Sequence, residues 1–166
     1  MTTTSDIRPG EVALESNPAE SEGDARLVFI GRVRTPWTSR ADAPKNPNEA
    51  RTRGGTAHVE IDAEYRPGLM GLEQFSHAIL LYWLHQSRRD LLVQAPKHSG
   101  KTHGTFALRS PVRPNPIGLA VVRLLKVDGD TGRIDIDAID CLDGTPLLDI
   151  KPYRPGVDAV PGATTP

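Results

Sequence analysis

Cysteine is nearly absent: Cys141 stands alone, so no intrachain disulfide can form and no zinc site can be built from several thiolates. Long apolar runs are also missing, since no stretch approaches the roughly 20 residues of a membrane-spanning helix. The opening segment MTTTSDIRPGEVALESNPAESEGD has no apolar core behind a basic start, so no export signal is expected. These absences together point to a soluble chain in a reducing cytoplasm. No GxGxxG follows a strand-like run, which excludes the phosphate loop of a dinucleotide fold. Ser110 lacks a GxSxG elbow and has no clear base in His77 or His85, which argues against a hydrolase. His98 and His103, in KHSGKTHG, have no Cys, Asp or Glu near them in sequence, and no metal is expected.

Acidic residues are missing from one long segment. Between Leu91 and Val127 there is no Asp or Glu, while Lys97, Lys101, Arg109, Arg113, Arg123 and Lys126 lie inside it and Arg88 and Arg89 just before it. The net charge of −1 hides this, because Asp128, Asp130, Asp135, Asp137, Asp140, Asp143 and Asp149 follow. A phosphate-binding face would leave such a footprint, and so would a set of solvated loop cations.

With 37% hydrophobic and 25% charged residues, 166 residues suffice for one globular domain with a real core. Residues 1–25 read as a disordered acidic tail, 26–156 as the folded domain and 157–166 as a loose C-terminal tail. The pattern is mainly β. Strands are expected over 26–34 (RLVFIGRVR), 56–61 (TAHVEI), 78–84 (AILLYWL, a continuous buried run) and 104–108. Residues 117–126 and 133–139 read as a hairpin around DGDTG, with Ile134, Ile136 and Ala138 on one face and Arg133, Asp135 and Asp137 on the other. Only 67–77 (PGLMGLEQFSH) has helical spacing, and Met70 and Trp83 read as core. Short strands of this kind are best protected by closing into a small β-barrel with few short helices.

The densest chemistry is in two blocks. In RSPVRPNPIG, Pro111, Pro114 and Pro116 fix their own φ and hold Ser110, Arg113 and Asn115 extended, so Arg109, Arg113 and Asn115 project from a loop already poor in conformational entropy. A spacer is disfavoured because the run joins two neighbouring strand-like patterns. The second block, DCLDGTPLLDIKPY, begins at Asp140; Asp143-Gly144 signals a turn, stiffened by Pro146 and Pro152. His85-Gln86 ends an apolar strand, where polar groups often line pockets.

RSPVRPNPIG, LDGTPLLDIKPY and the preceding GLEQFSHAILLYWLHQS together resemble the TrmO (YaeB, TsaA-like) family of tRNA methyltransferases, over residues 27–155. The resemblance implies a small TsaA-like β-barrel in place of a Rossmann sheet, a homodimer, S-adenosylmethionine as cofactor, and methylation of the N6 amine of threonylcarbamoyl-adenosine at position 37, in the tRNA anticodon loop. It implies a cofactor set of Asn46, Pro47, Asn48, His85, Gln86, Arg109, Leu119, Asp140, Cys141, Leu142, Asp143, Gly144 and Thr145. In the loop that carries Asn46, Pro47 and Asn48 this chain reads PKNPNEARTRGG where members commonly read something like PRQPGL. The extra C-terminal domain of some longer members is expected to be missing.

Methyl transfer is an in-line displacement, so aligning the nucleophile is the main task. An acylated N6–H is acidic, and Asp143, Asp149 or Tyr153 as a relay could accept its proton. Arg113 would hold an anionic group of the substrate with a fork that lysine cannot copy. Lys97, Lys101, Arg109, Arg113, Asn115 and Lys151 are the expected RNA contacts. Two other readings remain open: a methyltransferase with another small or RNA substrate, and a non-catalytic cofactor-sensing module.

Overall fold

The computed structural model describes residues 7–20, 23, 25–96 and 100–165. Its strands are β1 (Val12–Ala13), β2 (Gly31–Arg34), β3 (Ala57–Ile61), β4 (His77–Trp83), β5 (Leu91–Gln94), β6 (His103–Gly104), β7 (Ile117–Asp128), β8 (Arg133–Ile136) and β9 (Thr145–Pro152). The chain forms two compact units, one of Val28–Trp83 with Leu119–Pro166 and the other of Met1–Leu27 with Leu84–Gly118.

The larger unit is built on a closed barrel in the order β2, β3, β8, β7, β4, β9. Period-two alternation fills it: Val33, Val59, Leu80, Val122, Ile134 and Leu147 are fully buried. Gly31 sits where a Cβ would lie 2.0 Å from the Glu60 carbonyl oxygen, so β2 meets β3 at a separation only glycine allows. The expected hairpin is present as β7 and β8, antiparallel, and Ile134, Ile136 and Ala138 are all buried. The run over 78–84 is not continuously buried. Ala78, Leu80 and Tyr82 point inward and alternate with half-buried Ile79, Leu81 and Trp83, as a barrel strand requires.

Three local readings differ from the sequence expectation. The strand expected from residue 26 starts at Gly31, because its ladder with β3 ends at the Gly31–Ile61 pair; Leu27, Val28 and Phe29 before it are exposed. The helix expected over 67–77 is two 3-10 turns, Ala63–Leu69 and Leu72–Gln74, separated by Gly71 at φ 88°. That break turns Met70 out to 90% exposure, so it is no part of the core. Residues 46–48, read as a loop, start helix α1 (Pro47–Arg53): the Asn46 side chain accepts the Glu49 amide at 2.9 Å and Pro47 takes the first turn.

The smaller unit carries the sheet β1, β5, β6. Part of the segment read as a tail belongs to it, since Val12 pairs with Val93 and the Glu11 carboxylate accepts the Ala95 amide (3.0 Å) and an Arg8 guanidinium N–H (2.6 Å). Where a strand was expected over 104–108, β6 ends at Gly104 and a 3-10 turn, Thr105–Ala107, follows. Its cause is the buried Thr105, whose Oγ1 donates to Leu91 O (2.9 Å) and accepts from Gln94 Nε2 (2.8 Å), drawing the backbone out of the sheet. No described helix is long and apolar enough to cross a membrane.

Candidate functional site

In the barrel unit the best-built constellation is the loop joining β8 to β9. Its carbonyls and amides are bound one by one to β2 and the segment after it. Trp37 Nε1 donates to Ile139 O (3.0 Å), Thr35 Oγ1 to Cys141 O (3.0 Å), the Asp143 amide to Trp37 O (2.7 Å) and the Gly144 amide to Val33 O (2.9 Å). Gly144 turns the chain at φ 73°, which explains the Asp-Gly pair. Thr145 Oγ1 closes the turn on Leu142 O (2.7 Å). A small second core of Trp37, Ala50 and Ala138, with Ala43 and Leu142 against it, seats helix α1 beside this loop, and the Arg53 guanidinium lies 4.4 Å over the Trp37 ring.

The loop presents carboxylates on a rigid base. Asp143 is exposed; its Oδ1 accepts the Thr35 amide (3.1 Å) and its Oδ2 lies 3.6 Å from Arg34 Nη1. Arg34 in turn donates to Glu60 (2.8 Å), a bond that holds the Glu60 carboxyl below the ordinary carboxylate range. Asp140 is half-buried, 3.5 Å from the Tyr82 hydroxyl. Cys141 is a wall and no nucleophile: burial pushes its thiol up to about 12. Asp137 accepts from Arg51 Nε (2.6 Å) and from the Arg123 amide (2.8 Å); burial alone would raise its pKa, but these bonds outweigh it and hold the carboxyl low. Asn46 and Asn48 are used within α1, Asn48 accepting from Arg51 Nη1 (2.9 Å).

The three barrel residues considered for chemistry, Asp143, Asp149 and Tyr153, are spread over the loop before β9, β9 itself and the residue after it. Arg113 belongs to the smaller unit. Asp149 lies midway along β9 and Tyr153 just beyond its end, so at about 3.3 Å per residue Tyr153 is on the order of 25 Å along the strand from Thr145. Asp149 is paired with Lys151 (2.9 Å) and with the Ile150 amide (2.9 Å), and the Tyr153 ring meets His77 edge-on at 6.4 Å. Leu119 faces outward on β7 at 46% exposure.

In the smaller unit, the proline run contains neither helix nor strand. Side chains hold it. Gln94 Nε2 donates to Val112 O (2.7 Å), Arg89 Nε to Pro114 O, and Arg113 Nη1 to Leu108 O (3.1 Å) and Ser110 O (3.3 Å). Arg113 thus braces its own loop. Asn115 is exposed, its Oδ1 3.4 Å from Arg89 Nη2. Arg109, Lys101, His85 and Gln86 are exposed, the last two at a turn just past β4. Lys97 and His98 lie outside the described residues. The sequence reading missed Thr35, Trp37 and Arg34, which hold the 140–145 loop. Only the Asn-Pro-x-Glu start of α1 was a readable signal nearby.

A closed barrel with a rigid, carboxylate-bearing loop and no glycine-rich phosphate turn defines a non-Rossmann barrel protein. Residues 32–159 match the tRNA-methyltransferase O N-terminal domain, and the chain belongs to that family. It is 46% identical over 148 residues to the probable S-adenosyl-L-methionine-binding protein VirR of Rhizobium radiobacter, covering 89% of this chain and 80% of VirR. It is 34% identical over 141 residues to a tRNA (adenine(37)-N6)-methyltransferase of Escherichia coli (strain K12), covering 81% of this chain and 60% of the relative. The crystal structure of TrmO from Pseudomonas aeruginosa superposes with a TM-score of 0.68 at 35% identity, covering 86% of this chain and 62% of that one. This chain therefore spans about three fifths of the length of these last two proteins.

Proposed function

We propose that this protein is an S-adenosylmethionine-dependent methyltransferase acting on the N6 amine of threonylcarbamoyl-adenosine at position 37 of tRNA. The observation that carries the reading is the family match over 32–159, which takes in both dense blocks, with a tRNA (adenine(37)-N6)-methyltransferase among the relatives. The donor set of the 140–145 loop fits the cofactor: carboxylates at Asp140 and Asp143 suit a ligand carrying sulfonium and ammonium charge, and Leu142 offers an apolar surface beside them. When bound, the cofactor supplies an electrophilic methyl group. The chain's own residues align the acceptor and take its proton. Asp143 lies in that loop and is the proton acceptor in this reading, whereas Asp149 on β9 and Tyr153 just past its end lie farther along the chain, and Lys151 serves RNA contact. The outward row Leu119, Val121 and Leu125 on β7 supports a homodimer, checked by sedimentation at micromolar concentration.

Isothermal titration with S-adenosylmethionine tests the cofactor, and the absence of binding at millimolar ligand overturns the reading. Asp143→Asn is expected to keep the melting temperature within a few degrees, since its pair with Arg34 is exposed and weak. Its single-turnover methylation should fall by about 2–4 kcal/mol of transition-state stabilisation. A second reading, cofactor binding without tRNA methylation, is favoured by the name of the Rhizobium relative, which is similar to this chain over 80% of its length. Unchanged methylated threonylcarbamoyl-adenosine in tRNA from a deletion strain, with cofactor binding intact, selects it.

A further inference from the structure

Phe106 is one of three phenylalanines in the chain and is 80% exposed. Its exposure is built in. The residue before it, Thr105, is 1% exposed and bonded to both Leu91 and Gln94, and the Leu108 amide closes the 3-10 turn on Thr105 O at 3.1 Å. The ring is therefore held out from a welded backbone.

Its surroundings define what it fits. Among the described residues of 100–116, Phe106 is the sole large hydrophobic that is exposed. Its exposed neighbours in sequence are Gly100, Lys101, Thr102, Gly104, Ala107 and Arg109, and no Asp or Glu occurs from Leu91 to Val127. One flat ring is too small an apolar patch for a protein interface, and the charged side chains of its own segment of the chain are all positive. A π-face on a segment that carries cations and no carboxylate matches the two needs of single-stranded nucleic acid, stacking for a base and neutralisation for the backbone. We propose that Phe106 is a stacking platform for one unpaired nucleobase of RNA, with Lys101 and Arg109 at the flanking phosphates. The inference rests on the RNA reading above and adds a base contact that the two sequence blocks do not contain.

The test uses the full chain, an RNA hairpin with a seven-nucleotide loop, and a fully paired RNA duplex, with affinities read by fluorescence anisotropy across a salt series. Phe106→Ala should weaken hairpin binding roughly 5- to 100-fold with an unchanged salt slope and an unchanged melting temperature, and leave duplex binding as it was. Phe106→Tyr should restore affinity to within about twofold, because its ring still stacks. Lys101→Ala should instead lower the salt slope by about 1 on both RNAs. Equal hairpin affinity of parent and Phe106→Ala overturns the stacking site while leaving the RNA reading in place. A parent that binds neither RNA removes the RNA reading and the stacking site with it. A change of sedimentation on Phe106→Ala that accounts for the lost affinity assigns the ring to an interface between copies, and also overturns the proposal.

Discussion

Residues 140–153 and 109–116 are both proline-stiffened, yet they are held in different ways. In the first, the backbone does most of the fastening: β9 pairs with β2 and β4, and the loop before it gives its amides to Val33 O and Trp37 O. In the second, three long side chains, Gln94, Arg89 and Arg113, reach the carbonyls of a run that belongs to no sheet. Prolines cannot donate to a ladder, so a proline-dense loop has carbonyls to satisfy and few amides to offer. The difference implies that the first block should fail with the barrel, and the second on its own.

The sharpest break is expected from Gly31→Val. With the Glu60 carbonyl 2.0 Å from the new Cβ position, β2 cannot stay against β3, and a loss of more than about 4 kcal/mol should unfold the barrel in thermal denaturation. Gln94→Leu is the counterpart in the other block. It removes a buried donor from Thr105 Oγ1 and Val112 O, costing about 1–3 kcal/mol. Hydrogen exchange should quicken over 105–116 while barrel amides keep their protection.

Asp137→Asn tests the fastening of α1 to the barrel and should cost about 1–2 kcal/mol near neutral pH. Because the folded carboxyl is held low, its contribution is complete above the ordinary carboxylate range and is lost as pH falls through the folded value. The parent and variant stability curves should therefore converge below about pH 4. The smallest effect belongs to Arg113→Lys, under about 1 kcal/mol, since an ammonium can still reach one of the two carbonyls that the guanidinium spans. Exchange at the loop amides should rise slightly. A larger loss than for Gln94→Leu would show that Arg113, and not the buried amide, is the main brace.

Much of the barrel was readable because it depends on period two. The alternation in 56–61 and 133–139 gave β3, β8 and the correct inward residues, and the DGDTG turn gave the hairpin. Where a run ended was less readable. Residues 26–30 are as strand-prone as 31–34, but a ladder stops where its partner stops, and that partner lies 30 residues away in β3. Gly104–Leu108 has strand composition too, yet the hydroxyl of Thr105 prefers Leu91 O and Gln94 Nε2.

Fold class, the stiffness of both blocks and the acid-free basic segment could be read along the chain, because they follow from side-chain period, proline geometry and charge sign. Which polar groups are already spent depends on partners that the fold brings together. Arg113 on Leu108 and Ser110, Asp149 on Lys151, Asn46 on Glu49 and Asp143 on Thr35 and Arg34 look alike in sequence as candidates for ligands. A hydrogen bond saturates a donor or an acceptor at one place in space, and pattern along a chain holds no record of the partner that reaches it from another strand.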